Sequence, residues 1–294
     1  MLKINLGKKL RIAVILSGHY RNGAVTRFLS KTQHEVDVYA HSWDDVGHKN
    51  KALPYQPIDV AQKLSNVPHM RDFVVENNHE FINKIRPETK ARRYYSRISI
   101  EPLLKSQLYS TNSAFKLFQD RRRRETYDMI MRCRFDIDVV HFQPTNKCLK
   151  FIRNGAIFVT SGNLGNYRPF CSGCILCDRM YDFGVWQPHP LDHVSHINDK
   201  FAYGQESSMA HYFSMYDHFD SINAQFNEMN DATARKLGIV FPREGKNTMV
   251  YDSDLASFVF FCSSPERVLL RHLRGITTIT SRDARVELDR SVTG

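Results

Sequence analysis

The segment MRCRFDID, residues Met131–Asp138, places two arginines and two aspartates at every second position. Because successive side chains of an extended strand point to opposite faces, Arg132, Arg134, Asp136 and Asp138 would share one face of a strand. On a helix, the two aspartates would point in nearly opposite directions. The apolar run YDMI just before the segment favours a strand, so the sequence predicts that the two carboxylates lie together.

Two carboxylates on one face repel each other unless a cation neutralises them. Mn²⁺ or Mg²⁺ prefers oxygen ligands and binds through one or two carboxylates plus substrate phosphates, where it stabilises the charge of a departing diphosphate. The segment therefore predicts Asp136 and Asp138 as metal ligands, with Arg132 and Arg134 holding phosphate or orienting the aspartates. The alternative is a salt-bridge ladder in which Arg134 simply pairs with Asp136, since D-x-D occurs in many proteins.

The start of the chain predicts the elements that would position this segment. Leu10–Leu16 is a continuous apolar run that ends in Ser17 and Gly18, as expected of a central strand covered on both faces. Glu35–Ala40 alternates and predicts a second strand, with a short helix between the two. This β-α-β opening predicts a layered α/β fold.

Later patterns predict further helices and strands. We expect helices over 70–85, over Pro102–Asp120 and from about Gln205, and strands over Tyr127–Phe135, Ala156–Gly162 and within the segment ITTITSRD. Because no stretch is typical of a linker, we expect a single domain over residues 1–294.

The composition limits the classes of function. The 294 residues carry a net charge of +10, which favours polyanionic or phosphorylated partners. The most basic run, RRRR at Arg121–Arg124, predicts a helix C-terminus, with a nucleic-acid or membrane contact as the alternative. No apolar run is long enough for a membrane helix, and the basic start of the chain lacks the features of a secretory signal, so we expect a cytoplasmic protein.

A cysteine cluster is followed by several histidines. The segment CSGCILC gives a C-x₂-C-x₂-C spacing, and a zinc site is one interpretation. The histidine spacing matches such a site only loosely, and the other interpretation is buried thiols and surface imidazoles. The residues concerned are Cys171, Cys174, Cys177, His189, His193 and His196.

Four segments in order along the chain resemble glycosyltransferases with the GT-A fold from bacteria and viruses. They are RIAVILSGHYR (Arg11–Arg21), VDVYAHSW (Val36–Trp43), MRCRFDID (Met131–Asp138) and DKFAYG (Asp199–Gly204). No single segment is specific, but their order and spacing over most of the chain are. The resemblance implies a GT-A-like, three-layer α/β/α fold with a mixed, mostly parallel central sheet. The usual pattern of the family does not include zinc at the cysteine cluster.

The resemblance also implies a nucleoside-diphosphate-sugar donor held between the end of the first strand and the acidic segment. Ser17, Gly18 and Arg21 would then lie near the nucleotide or its diphosphate. A Ser-Gly turn exposes backbone N–H groups, and an arginine adds a fork of donors for phosphate. The alternative is an ordinary strand-to-helix turn. His41 and Trp43 would lie at the same edge, the tryptophan in a packing role.

An inverting transferase needs a carboxylate that takes the proton of the acceptor hydroxyl, and Asp199 or Glu206 is the candidate. Glu206 has a second interpretation, because an acidic residue favours the positive end of a helix. If the enzyme retains configuration, neither residue needs this role.

The sequence therefore predicts a metal-dependent glycosyltransferase that moves a sugar to a hydroxyl of a carbohydrate or glycoconjugate acceptor. One alternative is a nucleotidyl- or phosphoryl-transferring enzyme with the same metal site, although the chain contains no P-loop. The other is a non-enzymatic protein that binds nucleic acid through its basic charge. Nucleic acid is a less favoured partner than a nucleotide sugar.

Overall fold

The computed structural model describes residues 9–45, 59–85, 100–122, 124–160, 200–236 and, near the carboxyl end, 269, 272–273, 276, 278–281 and 284–288. In these residues the strands are β1 Arg11–His19, β2 Glu35–Trp43, β3 Met70–Glu76, β4 Met129–Arg134, β5 Ile137–Phe142, β6 Ile157–Thr160, β7 Phe201–Gly204, β8 Thr278–Ser281 and β9 Ala284–Leu288. The helices are α1 Thr26–Lys31, α2 Val60–Ser65, α3 Asn78–Ile85, α4 Ile100–Arg121, α5 Asn146–Arg153, α6 Glu206–Phe213 and α7 Met215–Lys236.

Seven strands form one sheet in the order β3-β2-β1-β4-β7-β6-β8, and β5 pairs with β9 in a second sheet. Strand β1 is parallel to both β2 and β4, β2 is parallel to β3, and β6 is parallel to β8. Strand β7 is antiparallel to both of its neighbours, β4 and β6. The sheet is therefore mixed and mostly parallel, as expected.

Helices cover both faces of the large sheet, and the internal strand β1 sends apolar side chains to both. Ile12, Val14 and Leu16 of β1 belong to the core beneath α1, α2 and α5. Ala13 and Ile15 belong to a separate core beneath α4, α6 and α7. The alternation gives two buried faces and three layers, which confirms the predicted α/β/α architecture.

The direction in which strands are added to the sheet reverses at β1. From β1 the chain adds β2 and then β3 on one side, and it returns through α3 and α4 to place β4 on the other side of β1. In open α/β sheets, ligands bind outside the carboxyl ends of the strands at such a reversal. The fold thus directs attention to the carboxyl ends of β1 and β4.

Several elements were not predicted from the sequence. The range 70–85 is not one helix but strand β3 followed by helix α3. The expected strand through Phe135 ends one residue earlier, at Arg134, and residues 135–136 form a turn before β5. The segment before the helix at Glu206 contains strand β7. Strand β8 lies at the sheet edge, as expected of the late strand.

The helices α4 and α6 agree with the sequence-based predictions. Helix α4 covers the range predicted as a helix, and its last residue is Arg121, the first of the four consecutive arginines. Gln205 is the N-cap of α6, where a helix was expected to begin. Among the described residues, no helix combines the length and apolarity needed to cross a bilayer.

A buried carboxylate ties three strands together near the amino end of the sheet. Asp37 of β2 accepts hydrogen bonds from Arg71 of β3, from Arg11 of β1 at 3.2 Å and from the Tyr127 hydroxyl at 3.0 Å, just before β4. Burial opposes ionisation, but the hydrogen bonds from Arg71, Tyr127 and Arg11 outweigh it and lower the pKa of Asp37.

We expect Asp37→Asn to lower the free energy of unfolding by about 2 kcal/mol at pH 7, because it removes charge-assisted hydrogen bonds in a buried position. A depressed folded-state pKa stabilises the fold above the ordinary carboxyl pKa of about 4, and this stabilisation is lost as the pH falls below it. Urea unfolding at pH 7 and about pH 3 should therefore give a difference that shrinks at the lower pH. Asp120→Asn, on an exposed turn of α4, is the control and should change stability little.

Candidate functional site

The carboxyl ends of β1 and β4 bring two arginines to one aspartate. Strand β4 ends at Arg134, and the turn at residues 135–136 folds the Asp136 carboxylate back toward it. Arg134 Nε donates to Asp136 Oδ1 at 2.8 Å, and its Nη2 donates to Oδ2. Arg21 Nη1, from the loop after β1, lies 3.4 Å from the same Oδ2. Two predicted residues from distant parts of the sequence thus meet at a third.

Asp136 is buried within this cluster. The residue is 3% exposed, whereas the side chains of Arg134 and Arg21 keep 21% and 31% of their surface exposed. Burial and the charge of Arg134 lower the pKa of Arg21, while the charges of Asp136 and Asp45 act in the opposite direction. The aspartate therefore lies behind the guanidinium groups, and the groups that reach solvent are cationic.

Asp138 belongs to different surroundings. Because residues 135–136 form a turn, the alternation of the preceding strand does not continue to this residue, which lies in β5. Its carboxylate pairs with Arg27 of α1 at 3.1 Å. Asp138 and Arg27 line a groove of about 670 Å³ between α1 and β5, and the described residues that line it do not include Asp136. The two aspartates therefore contact different arginines.

This arrangement does not fit the divalent cation that the sequence predicts. In the part of the chain that the structure describes, no three His, Cys, Asp or Glu side chains are grouped as metal ligands. Asp136 is bound by two guanidinium groups, whose positive charges repel a cation. Asp138 is paired with a third arginine. We therefore derive no chemical step through a metal ion, and a role for Mn²⁺ or Mg²⁺ stays a prediction.

Ser17 and Gly18 are hydrogen-bonded to side chains of helix α4. Gly18 N–H donates to Ser110 Oγ at 2.9 Å, and Ser17 Oγ lies 3.1 Å from Thr111 Oγ1. The Gly18 N–H expected to face a ligand is therefore bonded within the protein. Gly18 has a φ of +106°, which favours glycine, and a Cβ built on it would meet no atom of the described residues within 4 Å. None of these residues therefore fills the space beside its Cα.

The contacts of Ser110 continue across two more strands. His41 of β2 is buried and hydrogen-bonded through Nδ1 to Ser110 Oγ at 2.8 Å and through Nε2 to Glu76 Oε2 at 3.1 Å. The hydrogen bond from His41 lowers the pKa of Glu76. Trp43 is buried and stacks on Tyr109 at a centroid distance of 5.8 Å, which confirms its packing role. His41 therefore helps to hold the carboxyl ends of the strands in place, and its side chain does not reach the surface.

A histidine–aspartate pair lies at the same edge. His19 Nδ1, at the end of β1, pairs with Oδ1 of Asp45, which follows β2. Asn78 Nδ2 donates to Asp45 Oδ2 at 3.2 Å, and Ser106 Oγ of α4 donates to Asn78 Oδ1 at 3.0 Å. The carboxyl ends of β1, β2 and β3 are thus joined by polar contacts.

Arg132, two residues before Arg134 in β4, is 1% exposed. Its Nη1 donates to the Lys200 carbonyl at 2.8 Å, and its Nη2 lies 3.5 Å from Thr111 Oγ1. Its Nε has no hydrogen-bond partner among the described residues, and no carboxylate there forms a salt bridge with it. A buried guanidinium without a counter-charge is costly, so Arg132 adds positive potential to this edge.

The two candidate bases differ in position. Strand β7 pairs Phe201 with Cys133, near the end of β4, and Gly204 with Ile130, near its start. Glu206 follows β7 and therefore lies toward the opposite edge of the sheet, where Arg122 Nη1 donates to it at 2.7 Å. Asp199 lies outside the described residues, as do the three clustered cysteines and their neighbouring histidines.

The basic run is partly used in internal ion pairs. Arg121 Nε lies 2.8 Å from Asp72 Oδ2, and Arg122 pairs with Glu206. Of the remaining cysteines, Cys133 and Cys148 are buried thiols, and burial raises the pKa of Cys133 to about 12. The end of α4 at Arg121 agrees with the helix C-terminus that the basic run predicts.

The sequence did not identify the residues that support the site. Ser110, Thr111, Asp45 and Asn78 all contact groups at the carboxyl edge. The one available signal was the polar run STNS at positions 110–113, which interrupts the apolar stripe of an amphipathic helix on its buried side.

Comparisons with known proteins gave only distant similarity. No family model matches the sequence, and no curated protein matches it. Among solved structures, the crystal structure of the apo form of mouse xyloside xylosyltransferase 1 gives a TM-score of 0.34 at 10% sequence identity, over 88% of this chain and 96% of that one. A similarity this low carries no argument about activity or ligands.

We expect Ser110→Ala to lower the free energy of unfolding by roughly 1–3 kcal/mol, because it leaves the Gly18 N–H and the His41 ring without their buried partner. Chemical denaturation measures the change. Ser65→Ala is the matched control, since this serine is exposed at the end of α2 and, among the described residues, donates to the Gln62 carbonyl. Equal stability losses in the two variants would contradict the supporting role of Ser110.

Proposed function

We propose that this chain is a glycosyltransferase that moves a sugar from a nucleoside-diphosphate donor to a hydroxyl of a carbohydrate or glycoconjugate. The observation that carries the proposal is the place of the arginine–aspartate cluster in the fold. Arg21 and Arg134 lie at the carboxyl ends of β1 and β4, where the order of the strands reverses. An open α/β sheet binds nucleotides at this position.

The chemistry of the cluster agrees with a diphosphate ligand. Guanidinium groups bind phosphate oxygens through paired N–H donors, and both arginines keep part of their surface exposed. None of the described residues fills the position of a Cβ at Gly18, where we place part of the nucleotide. The four ordered segments that resemble GT-A glycosyltransferases supply the reason to choose sugar transfer among nucleotide-dependent reactions.

In the proposed reaction, an acceptor oxygen forms a bond to the anomeric carbon of the donor as the bond from that carbon to the diphosphate breaks. The diphosphate leaves with the electron pair, and Arg21 and Arg134 stabilise its negative charge. If configuration is inverted, Asp199 takes the acceptor proton. It directly precedes Lys200, whose carbonyl accepts a hydrogen bond from Arg132 at the end of β4. The proposal takes residues 1–294 as one domain.

A nucleotidyl- or phosphoryl-transferring enzyme would use the same edge, and the donor and the released product together distinguish these classes. A glycosyltransferase releases a nucleoside diphosphate from a nucleotide sugar, whereas a nucleotidyltransferase releases pyrophosphate from a nucleoside triphosphate. A phosphoryl-transferring enzyme also releases a nucleoside diphosphate, but from a nucleoside triphosphate. The nucleic-acid alternative receives less support, because Arg121 and Arg122 of the basic run pair with carboxylates of this chain.

We expect calorimetry to show binding of UDP or GDP by the full chain, and a panel of nucleotide sugars to yield one that is slowly hydrolysed to the nucleoside diphosphate. Arg134→Gln should weaken the binding at least roughly 10-fold, because it removes a charged donor pair. Absence of binding of every nucleoside diphosphate, with and without Mn²⁺, would contradict the proposal. Salt-sensitive binding of DNA or RNA in its place would favour the nucleic-acid alternative.

The acceptor base is tested by two matched variants. We expect Asp199→Asn to lower kcat about 100-fold or more with unchanged affinity for the donor, because a base acts on the acceptor proton only in the transition state. Glu206→Gln should leave kcat nearly unchanged, since Glu206 lies toward the other edge of the sheet. The opposite result would assign the base to Glu206.

A further inference from the structure

Among the described residues, more arginines than carboxylates lie at the carboxyl end of β4. Arg132, Arg134 and Arg21 bring three guanidinium groups, and Asp136 brings one carboxylate. Asp45 also acts on Arg21 through its charge, but it is paired with His19. When Asp45 is counted in full against the arginines, these described residues bring three guanidinium groups and two carboxylates.

A divalent cation at Asp136 would be repelled by the positive charges of the neighbouring arginines. Both carboxylate oxygens already accept hydrogen bonds from arginine, and Arg134 occupies them as a bidentate pair. A metal ion would have to displace at least part of that pair in a site that is nearly closed to solvent. An anion meets the opposite situation, since it gains a favourable interaction with every guanidinium group that it approaches.

We infer that the arginines take the place of a metal ion at this site, and that Arg21 and Arg134 bind the donor diphosphate without a divalent cation. This inference rests on the proposed glycosyltransferase function and names the way in which its donor is held. Asp136 is then a positioning residue. Its carboxylate holds the two guanidinium groups side by side before the donor arrives, which lowers the entropy lost on binding.

The role of Asp136 differs in the two descriptions, and this difference makes the inference testable. As a metal ligand, Asp136 would be essential to diphosphate binding, and its amide variant would lose that binding. As a tether, it competes with the diphosphate for the same N–H donors. An asparagine side chain still accepts a hydrogen bond from Arg134, and it removes the competing negative charge.

The first experiment measures the affinity of the wild-type chain for UDP and GDP by calorimetry, in EDTA and in Mn²⁺. We expect the two dissociation constants to agree within about threefold. This comparison needs no variant, so it holds even where a substitution at Asp136 destabilises the fold. Binding seen only with Mn²⁺ would overturn the inference and leave the proposed function standing. Absence of binding in both conditions would overturn the proposed function itself.

The second experiment compares variants in EDTA. Arg21→Gln and Arg134→Gln should each weaken nucleoside-diphosphate binding roughly 10- to 100-fold, and Arg134→Lys should restore only part of the loss because it lacks the planar fork. Asp136→Asn should bind within about threefold of the wild type, or more tightly. Loss of binding by a folded Asp136→Asn protein, or unchanged binding by both arginine variants, would overturn the inference.

The matched control is the other arginine–aspartate pair of the segment. Arg27 binds Asp138 at 3.1 Å in the groove between α1 and β5, away from the residues that contact Asp136. Arg27→Gln should leave the affinity for UDP and GDP unchanged. A loss of Mn²⁺-dependent binding in Asp138→Asn would restore the metal site and overturn the inference.

Discussion

Strand β1 is paired with a parallel strand on each side and is covered on both faces, so it cannot shift without breaking the sheet. Its residues Arg11–His19 pair with β2 along their whole length, and Ile12–Ser17 pair with β4. Ile12, Ala13, Val14, Ile15 and Leu16 have no exposed surface. Because the order of strands reverses at β1, this rigid strand also defines where the arginine cluster forms. The position of the proposed donor site therefore depends on the burial of the apolar residues of β1 that precede it in the sequence.

The polar groups near the carboxyl ends of the strands hold the strands and helix α4 in register. Gly18, Ser110, His41 and Glu76 form a chain of hydrogen bonds from β1 through α4 to β2 and β3. Each buried polar atom of this chain would be costly if it were unpaired, so the network is stable only when the strands and the helix are in register. Arg132, with an Nε that lacks a partner among the described residues, is the exception. Its guanidinium group is costly to bury, and it adds positive charge near Arg21 and Arg134, which are proposed to bind the anion.

Local pattern predicted most of the elements that position the site, but not their pairing. The apolar run Leu10–Leu16 and the alternation of Glu35–Ala40 were sufficient for β1 and β2, because burial on two faces leaves a clear signal. The range 70–85 has apolar residues that suit either period, and only pairing with β2 selects strand β3. The pairing of Arg134 with Asp136 is one of the two interpretations that the sequence of the segment allows. The contact of Arg21 with Asp136 spans 115 residues, and no local pattern encodes such a distance. The same holds for the separate environments of the two aspartates, which depend on the turn at residues 135–136 that ends β4.

The pairing of β1 with β4 also has a kinetic meaning. Arg11 and Asp128 are hydrogen-bonded across 117 residues, and the strands that follow them join in parallel. Closing so long a loop loses chain entropy before the contacts of the sheet repay it, and folding dominated by such distant pairings is slow. The local β1-α1-β2 unit can form early, whereas the arginine cluster exists only after β4 has docked. Ligand affinity is thus acquired at a late stage of folding, and a bound nucleotide would slow unfolding more than it would speed folding.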